Sequence, residues 1–372
     1  MTNEILAKEK QVRDFLGVHG LNAMFITLRS NVSWLTGGRT NHIEMGAREG
    51  NGTLAITPTG KYLVTNNIEA ARLIPEELDG QGFEPMITAW HEGATGVAKS
   101  LRKIADGGRC GTDAPLPCDG DGCVCVPLGA EFARMHFSLM PEEIERFQAA
   151  GRDTAACMDQ AMRAIRPGMT EWEVAGLLAA PQLDLGIMPN LILVASDERL
   201  LRFRHPVPTH KKIEKTCMLV TCALRHGFVV NSTRIVHFGP IPAELKRKHH
   251  AVCQVHAELI HATRPGATTE ELWKVVTGAY AAAGFPDEIG LHHQGGSAGY
   301  QGRDWFLMPG VDEIVQPNQA FAWNPSITGT KGEETFVATE NGPLILTEQA
   351  GWPMVEVTAG GKAYKLADIL EG

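Results

Sequence analysis

The sequence predicts an α+β chain of two domains: an α/β domain over residues 1–137, then a larger domain over 138–372 built from two similar halves. Three observations lead there. With 372 residues the chain is too long for one ordinary domain and comfortable for two. Its first part alternates helix-patterned and strand-patterned segments. In its second part, Arg166-Pro167-Gly168-Met169-Thr170-Glu171-Trp172-Glu173-Val174 is echoed by Arg264-Pro265-Gly266-Ala267-Thr268-Thr269-Glu270-Glu271-Leu272.

Each element has a local reason. Residues 4–19 carry apolar Ile5, Leu6, Val12, Phe15 and Leu16 at helical spacing, and Gly20 ends the helix. Residues 23–27, 53–57 and 62–65 read as buried strands. Residues 128–139 read as a linker. A long helix then opens at Pro141-Glu142-Glu143, where proline and acidic groups suit the first turn, and runs to residue 165. The two echoed joints each follow a long helix, 142–165 or 243–262, and each opens a second helix with Thr170 or Thr268 as N-cap. Those second helices stop at Gly186 and Gly284. Strand-like runs follow at 191–195 and 218–223. A period of 98 residues is too long for a solenoid and implies a duplicated domain with a site between its halves.

Composition narrows the function. A chain with 44% hydrophobic and 21% charged residues is a globular protein with a sizeable core. A net charge of −9 and a pI near 5.9 argue against a nucleic-acid surface. No apolar run reaches the roughly 18 residues of a membrane span. Residues 1–13 mix charges without an apolar stretch, so no secretory signal is read there and a cytoplasmic protein is expected. Eight cysteines in this length are no disulfide scaffold; Cys118, Cys123 and Cys125 read as reduced thiols in a Gly/Pro/Asp-rich loop without zinc spacing. Cys157, Cys217, Cys222 and Cys253 read as small core residues. His249, His250, His256 and His261 read as a solvated helix face.

Six motifs, in order, carry a family resemblance. Asn31-Val32-Ser33-Trp34-Leu35-Thr36-Gly37 resembles an N-x-x-Y-L-T/S-G motif; His205-Pro206 resembles a segment that brings a histidine to an active site. Gly227-Phe228-Val229-Val230-Asn231-Ser232-Thr233-Arg234 resembles G-Y-x-S-D-x-T-R, and His293-Gln294-Gly295-Gly296 resembles H-x-x-G. Asn324-Pro325 stands where Glu-Pro is usual, and Glu333-Glu334-Thr335-Phe336-Val337-Ala338-Thr339-Glu340-Asn341-Gly342 resembles E-D-T-V-L-V-T-E-x-G. The chain thus resembles the pita-bread superfamily of creatinase, prolidase and aminopeptidase P. The resemblance implies a creatinase-like N-terminal α/β domain followed by a duplicated pita-bread catalytic domain, and a homodimer.

The metallopeptidases of that superfamily hold two divalent ions with two Asp, one His and two Glu, because such ions need several anionic oxygens. Here the second Asp is Asn231, residues 221–223 offer nothing for the first, and the first Glu is Asn324. Only His293 and Glu333 remain. The expectation is therefore a protein without metal or cofactor: a metal-independent, creatinase-like C–N hydrolase acting on a small amide, amidine or guanidino-type substrate rather than on a peptide. Carried over from creatinase, His205 is the catalytic histidine and Glu333 holds a cationic group. Arg303, in Gly302-Arg303-Asp304, binds a substrate carboxylate, and Arg48 is the N-terminal-domain arginine that reaches a partner's site. Thr233 replaces a creatinase Glu. His205, with His293 second, serves as general acid/base, Glu333 orients it, and Asn231 and Asn324 position a carbonyl. Two other readings stand beside this one: an inactive pita-bread module that binds a peptide or small ligand, and a metal-dependent Xaa-Pro aminopeptidase or prolidase-like peptidase.

Overall fold

A computed structural model describes residues 2–372; Met1, part of the segment read for targeting signals, lies outside them. The chain divides into two units, Met1–His136 and Phe137–Gly372. Among the described residues no helix is long and apolar enough to cross a membrane.

In the first unit, α1 (Asn3–His19) starts at Thr2, whose side chain accepts from Ile5 N, and stops at Gly20 with φ 61°. Its inner face buries Ile5, Val12 and Leu16 beside a buried Lys8–Glu4 pair. There follow β1 (Ala23–Leu28), α2 (Arg29–Leu35), β2 (Glu49–Ile56), β3 (Lys61–Asn66), α3 (Asn67–Arg72), β4 (Glu84–Thr88), α4 (Gly93–Ala105), β5 (Gly108–Thr112), β6 (Cys123–Pro127) and α5 (Gly129–Arg134). The sheet runs β4-β3-β2-β1-β5-β6, antiparallel across β1–β2 and β2–β3 and parallel elsewhere.

The expected linker of residues 128–139 contains the boundary between the two units but is not irregular throughout, and one expectation about the cysteines fails. Residues 128–139 hold a short helix, α5, because Phe132 and His136 bury against Trp34, with ring centroids 5.8 and 4.4 Å away. Cys118 and Cys125 are joined in a disulfide rather than reduced. The bridge between Gly120 and Cys123 folds the loop back and leaves the two Cα atoms 6.3 Å apart, inside disulfide range.

The second unit repeats itself. Its first half runs α6 (Pro141–Ala164), α7 (Glu171–Asp184), β7 (Met188–Ser196), β8 (Thr216–Arg225) and β9 (Phe228–His237). The second runs α8 (Ala243–Ala262), α9 (Thr269–Ala282), β10 (Gly295–Ala298), β11 (Trp305–Phe306), β12 (Gln319–Trp323), β13 (Ser326–Ile327), β14 (Thr330–Lys331), β15 (Glu334–Thr339) and β16 (Gly342–Ile345), then β17 (Met354–Ala359), β18 (Lys362–Ala367) and β19 (Leu370–Glu371). The two joints form the same hydrogen bonds. Thr170 and Thr268 each close a capping box, with Glu173 and Glu271. Gly168 N donates to Ile213 O and Gly266 N to Val315 O, while Ile213 N and Val315 N return to Met169 O and Ala267 O.

A four-stranded sheet, β19-β9-β8-β7, meets a five-stranded one, β11-β10-β12-β15-β16. They join where Thr233 bridges to Glu333 and Thr335 Oγ1 bonds the backbone of Asn231. Helices α8 and α9 pack Val255, Leu259, Leu272 and Tyr280 against Phe321 and Phe336. The expected solvated histidine face of α8 is largely internal, because β14, β17 and β18 pack on it. His249 and His256 are buried, and His249 bonds Thr330 Oγ1 and Ala367 O.

Candidate functional site

The sheets of the second unit form one wall of a cavity of about 320 Å³. Leu191, Leu193, Val220 and Phe306 supply apolar surface; His205, Asn231, His293, Arg303, Asn324, Lys331 and Glu333 supply polar atoms. Each polar group is held by a different device.

His205 is exposed but its neighbours are fixed. Pro206 O accepts from Val194 N on β7, and Arg204 bonds Glu288 at 2.6 Å and Thr328 at 2.9 Å. The imidazole therefore stands on a pinned segment. Its Nε2 lies 3.3 Å from His292 Nε2, and His292 Nδ1 lies 3.2 Å from Ser326 Oγ. The His293 ring is 4.4 Å from His292 and 5.4 Å from His205, centroid to centroid. Its Nδ1 is buried and finds no hydrogen-bond partner among the described residues. Burial lowers the pKa of all three, with nearby Lys331 adding to the effect: His205 falls below its usual value, His293 to about 4 and His292 to about 2. All three rings are neutral at pH 7.

Glu333 is 3% exposed, and Thr233, Lys331 and Arg303 all reach it. Thr233 Oγ1 donates to it at 2.6 Å, Lys331 Nζ lies 2.8 Å away and Arg303 Nη2 3.3 Å, and its carbonyl takes the Thr233 N–H. Burial pushes its carboxyl up, yet Lys331 and Arg303 outweigh that and hold it at about 2. Arg303 also reaches Asn324 Oδ1 at 3.4 Å, and its Nε is buried without a partner among the described residues. Asn324, 1% exposed, is tied to the histidine loop by its N–H to Gln294 O. Asn231, fully buried on β9, bonds Val229 O through Nδ2 and leaves Oδ1 without a partner among the described residues.

The cavity wall thus carries His205, His293, Asn231, Asn324, Arg303 and Glu333. Thr233 stands behind Glu333 rather than on the wall. Arg48 belongs to the first unit, where it is exposed and its carbonyl accepts from Arg29 N. Two functional candidates escaped the sequence reading. Lys331 is one; its signal was a cation two residues before the family Glu. His292 is the other; it stood next to His293 in the sequence and was given no role of its own. Cys222, read as core, lines the cavity instead, and burial pushes its thiol up to about 12, so it is no thiolate.

A model of metallopeptidase family M24 matches residues 145–348. The Xaa-Pro dipeptidase of Lactobacillus helveticus is 24% identical over 220 residues, spanning 56% of this chain and only 59% of that protein. The uncharacterized peptidase YqhT of Bacillus subtilis is 24% identical over 353 residues, 91% of this chain and 97% of that one. Among solved structures, the Xaa-Pro dipeptidase from Bacillus anthracis superposes with a TM-score of 0.79 over 99% of both chains at 18% identity, which speaks for the fold. These findings overturn the expected metal-independent, creatinase-like C–N hydrolase with a non-peptide substrate: the relatives are peptidases, and the matching family is one of metallopeptidases.

The two-ion centre that such a family implies does not fit the residues here. Among the described residues lining the cavity, Glu333 is the only carboxylate, and Lys331 and Arg303 already neutralise it. Asn231 and Asn324 offer amides, and β8 offers Val220 and Cys222. Paired divalent ions need bridging anionic oxygen, which this wall lacks.

Proposed function

We propose, from the premise that the chain belongs to metallopeptidase family M24, that it is a prolidase-like peptidase which takes a short Xaa-Pro-type peptide into the cavity of its second unit. One observation carries this reading. The cavity pairs apolar walls with an arginine whose buried Nε has no partner among the described residues, in a volume suited to a dipeptide. A peptide with a free carboxylate satisfies that donor as a charge-assisted hydrogen bond. Its prolyl ring packs on Leu191, Leu193 and Phe306. The Asn324 amide NH2 holds the scissile carbonyl by hydrogen bonds aimed where charge develops, while Asn231 Oδ1, without a partner among the described residues, accepts a peptide N–H. His205, neutral and at the open side, accepts or returns a proton.

The test is direct. Full-length protein is incubated with Ala-Pro and Met-Pro, with and without added divalent cations, and released proline is measured. Release by the wild type, with KM raised about tenfold or more in Arg303→Met, supports the reading. A second reading, a module that binds peptide without cleaving it, is favoured by the loss of carboxylates at Asn231 and Asn324. Dipeptide binding without proline release would establish that one instead.

A further inference from the structure

We infer that His205, His292 and His293 form a binding site for a single borderline divalent cation of the zinc or cobalt(II) class, built on imidazoles rather than on the carboxylates of the family's two-ion centre. The inference rests on the peptidase reading for its use but not for its existence.

One ligand atom from each of the three rings falls within 4.8 Å of the others. A tetrahedral zinc with bonds of about 2.0–2.1 Å sets its ligand atoms about 3.3 Å apart. The Nε2 atoms of His205 and His292 already stand at 3.3 Å. Moving the His293 ligand atom by up to about 1.5 Å, from the 4.8 Å limit to about 3.3 Å, completes such a triangle. His205 comes from a segment 87 residues away from the adjacent His292 and His293, so no local turn brings it to them. The Ser326 hydroxyl at His292 Nδ1 fixes that ring from behind, the arrangement that orients metal-bound imidazoles. All three are neutral, as ligands must be, and in the ion-bound protein His205 is a ligand in place of the proton carrier of the ion-free reading. The exposed side of His205 and the cavity face of His293 leave a fourth position open, the mark of a catalytic rather than a structural ion.

The electrostatics define which cation fits. Lys331, Arg303 and Arg204 surround the cluster, and Glu333 offsets only part of that charge. Hard ions that depend on carboxylate oxygen gain little here, whereas zinc and cobalt(II) bind imidazole through nitrogen. The positive surroundings favour an anion, such as a peptide carboxylate, in the fourth position.

The experiment is titration of the full-length, chelator-treated protein with cobalt(II) alone, read by visible absorption and by metal content after desalting. We expect one ion per chain with the intense bands of a four-coordinate site, displaced by zinc. His205→Ala removes an exposed ligand with little effect on folding, checked by melting, and weakens binding by about a hundredfold or more; His292→Gln does the same. Glu333→Gln leaves the affinity within about threefold, because that carboxylate is not a ligand in this arrangement. No stoichiometric cobalt in the wild type overturns the inference. So does binding that Glu333→Gln abolishes and His205→Ala leaves intact. Cobalt bound as described without proline release leaves this site standing and sinks the peptidase reading; proline release by a wild type that takes up no stoichiometric cobalt does the reverse.

Discussion

Lys331 Nζ sits 2.8 Å from Glu333 Oε2, with both side chains almost wholly buried. Arg303 approaches the other oxygen at 3.3 Å. Two protein cations thus compensate the one carboxylate that survives from the family's ligand set. The substitution of amides at Asn231 and Asn324 and the presence of Lys331 are two sides of one change. Fewer anionic oxygens go with cations supplied by the chain.

Removing that ammonium leaves a buried carboxylate with less compensation than its burial requires. Lys331→Met is expected to destabilise the fold by roughly 3 kcal/mol, measured by chemical denaturation. Adding Glu333→Gln relieves the uncompensated charge, so the double variant should be more stable than the sum of the singles by about 1–3 kcal/mol. A change below about 0.5 kcal/mol for Lys331→Met would contradict the buried pair described here.

Asp304 gives a pH signature of its own. Burial pushes its carboxyl up to about 6, opposed by the Ser297 hydroxyl and by Arg303. The unfolded value is about 3.9. Between these pH values the folded state binds more protons than the unfolded state, so this group's contribution is favourable in acid and is lost as pH rises through about 6. Asp304→Asn keeps an acceptor for Ser297 and removes the charge. We expect it to match the wild type near pH 4 and to exceed it by about 1–3 kcal/mol at pH 7. Denaturation at both pH values tests this; a variant less stable at pH 7 would refute it.

The features legible in the sequence were those with local causes. Thr170 and Thr268 announced their helices because a capping box needs only residues three apart. The superfamily followed from motif order. The chemistry did not, and the reason is geometric. Counting carboxylates at inherited positions does not reveal that rings 87 residues apart in sequence, His205 and His292, meet at 3.3 Å. The neighbouring Glu333 and Glu334 look alike in the sequence. The chain turns between them, so Arg234 takes Glu334 at 2.9 Å while Glu333 faces the cavity with Lys331. A shift of one residue decided which glutamate is structural.

The glycines of His293-Gln294-Gly295-Gly296 are close-approach positions. A Cβ on Gly296 would stand 1.7 Å from the Trp305 carbonyl oxygen, where β10 lies against β11, and Gly295 has φ 96°. Gly296→Ala must push two backbones apart and should cost more than about 3 kcal/mol or abolish soluble expression. Gly278 in α9 has nothing within 4 Å of the equivalent position, so Gly278→Ala should instead stabilise by up to about 1 kcal/mol. Melting curves of the two variants should move in opposite directions.

Tyr280 ties the helix layer to the histidine loop. Its hydroxyl donates to Gln294 Oε1 at 2.8 Å and accepts from Ser326 N at 2.9 Å, while Gln294 Nε2 donates to His292 O at 2.6 Å. Every member of this chain is buried, so nothing from solvent replaces the phenol readily. Tyr280→Phe keeps the ring packing and leaves Gln294 Oε1 and Ser326 N without their partner, at an expected cost of about 2–4 kcal/mol. Ser326 and His292 are also the two ends of one hydrogen bond, so the variant should loosen the His292 ring as well as the fold. Cobalt(II) affinity is the readout that separates these effects. A folded Tyr280→Phe protein should bind cobalt about tenfold more weakly than the wild type, in line with loss of support behind a ligand. A variant destabilised as expected but unchanged in cobalt affinity would confine Tyr280 to the core.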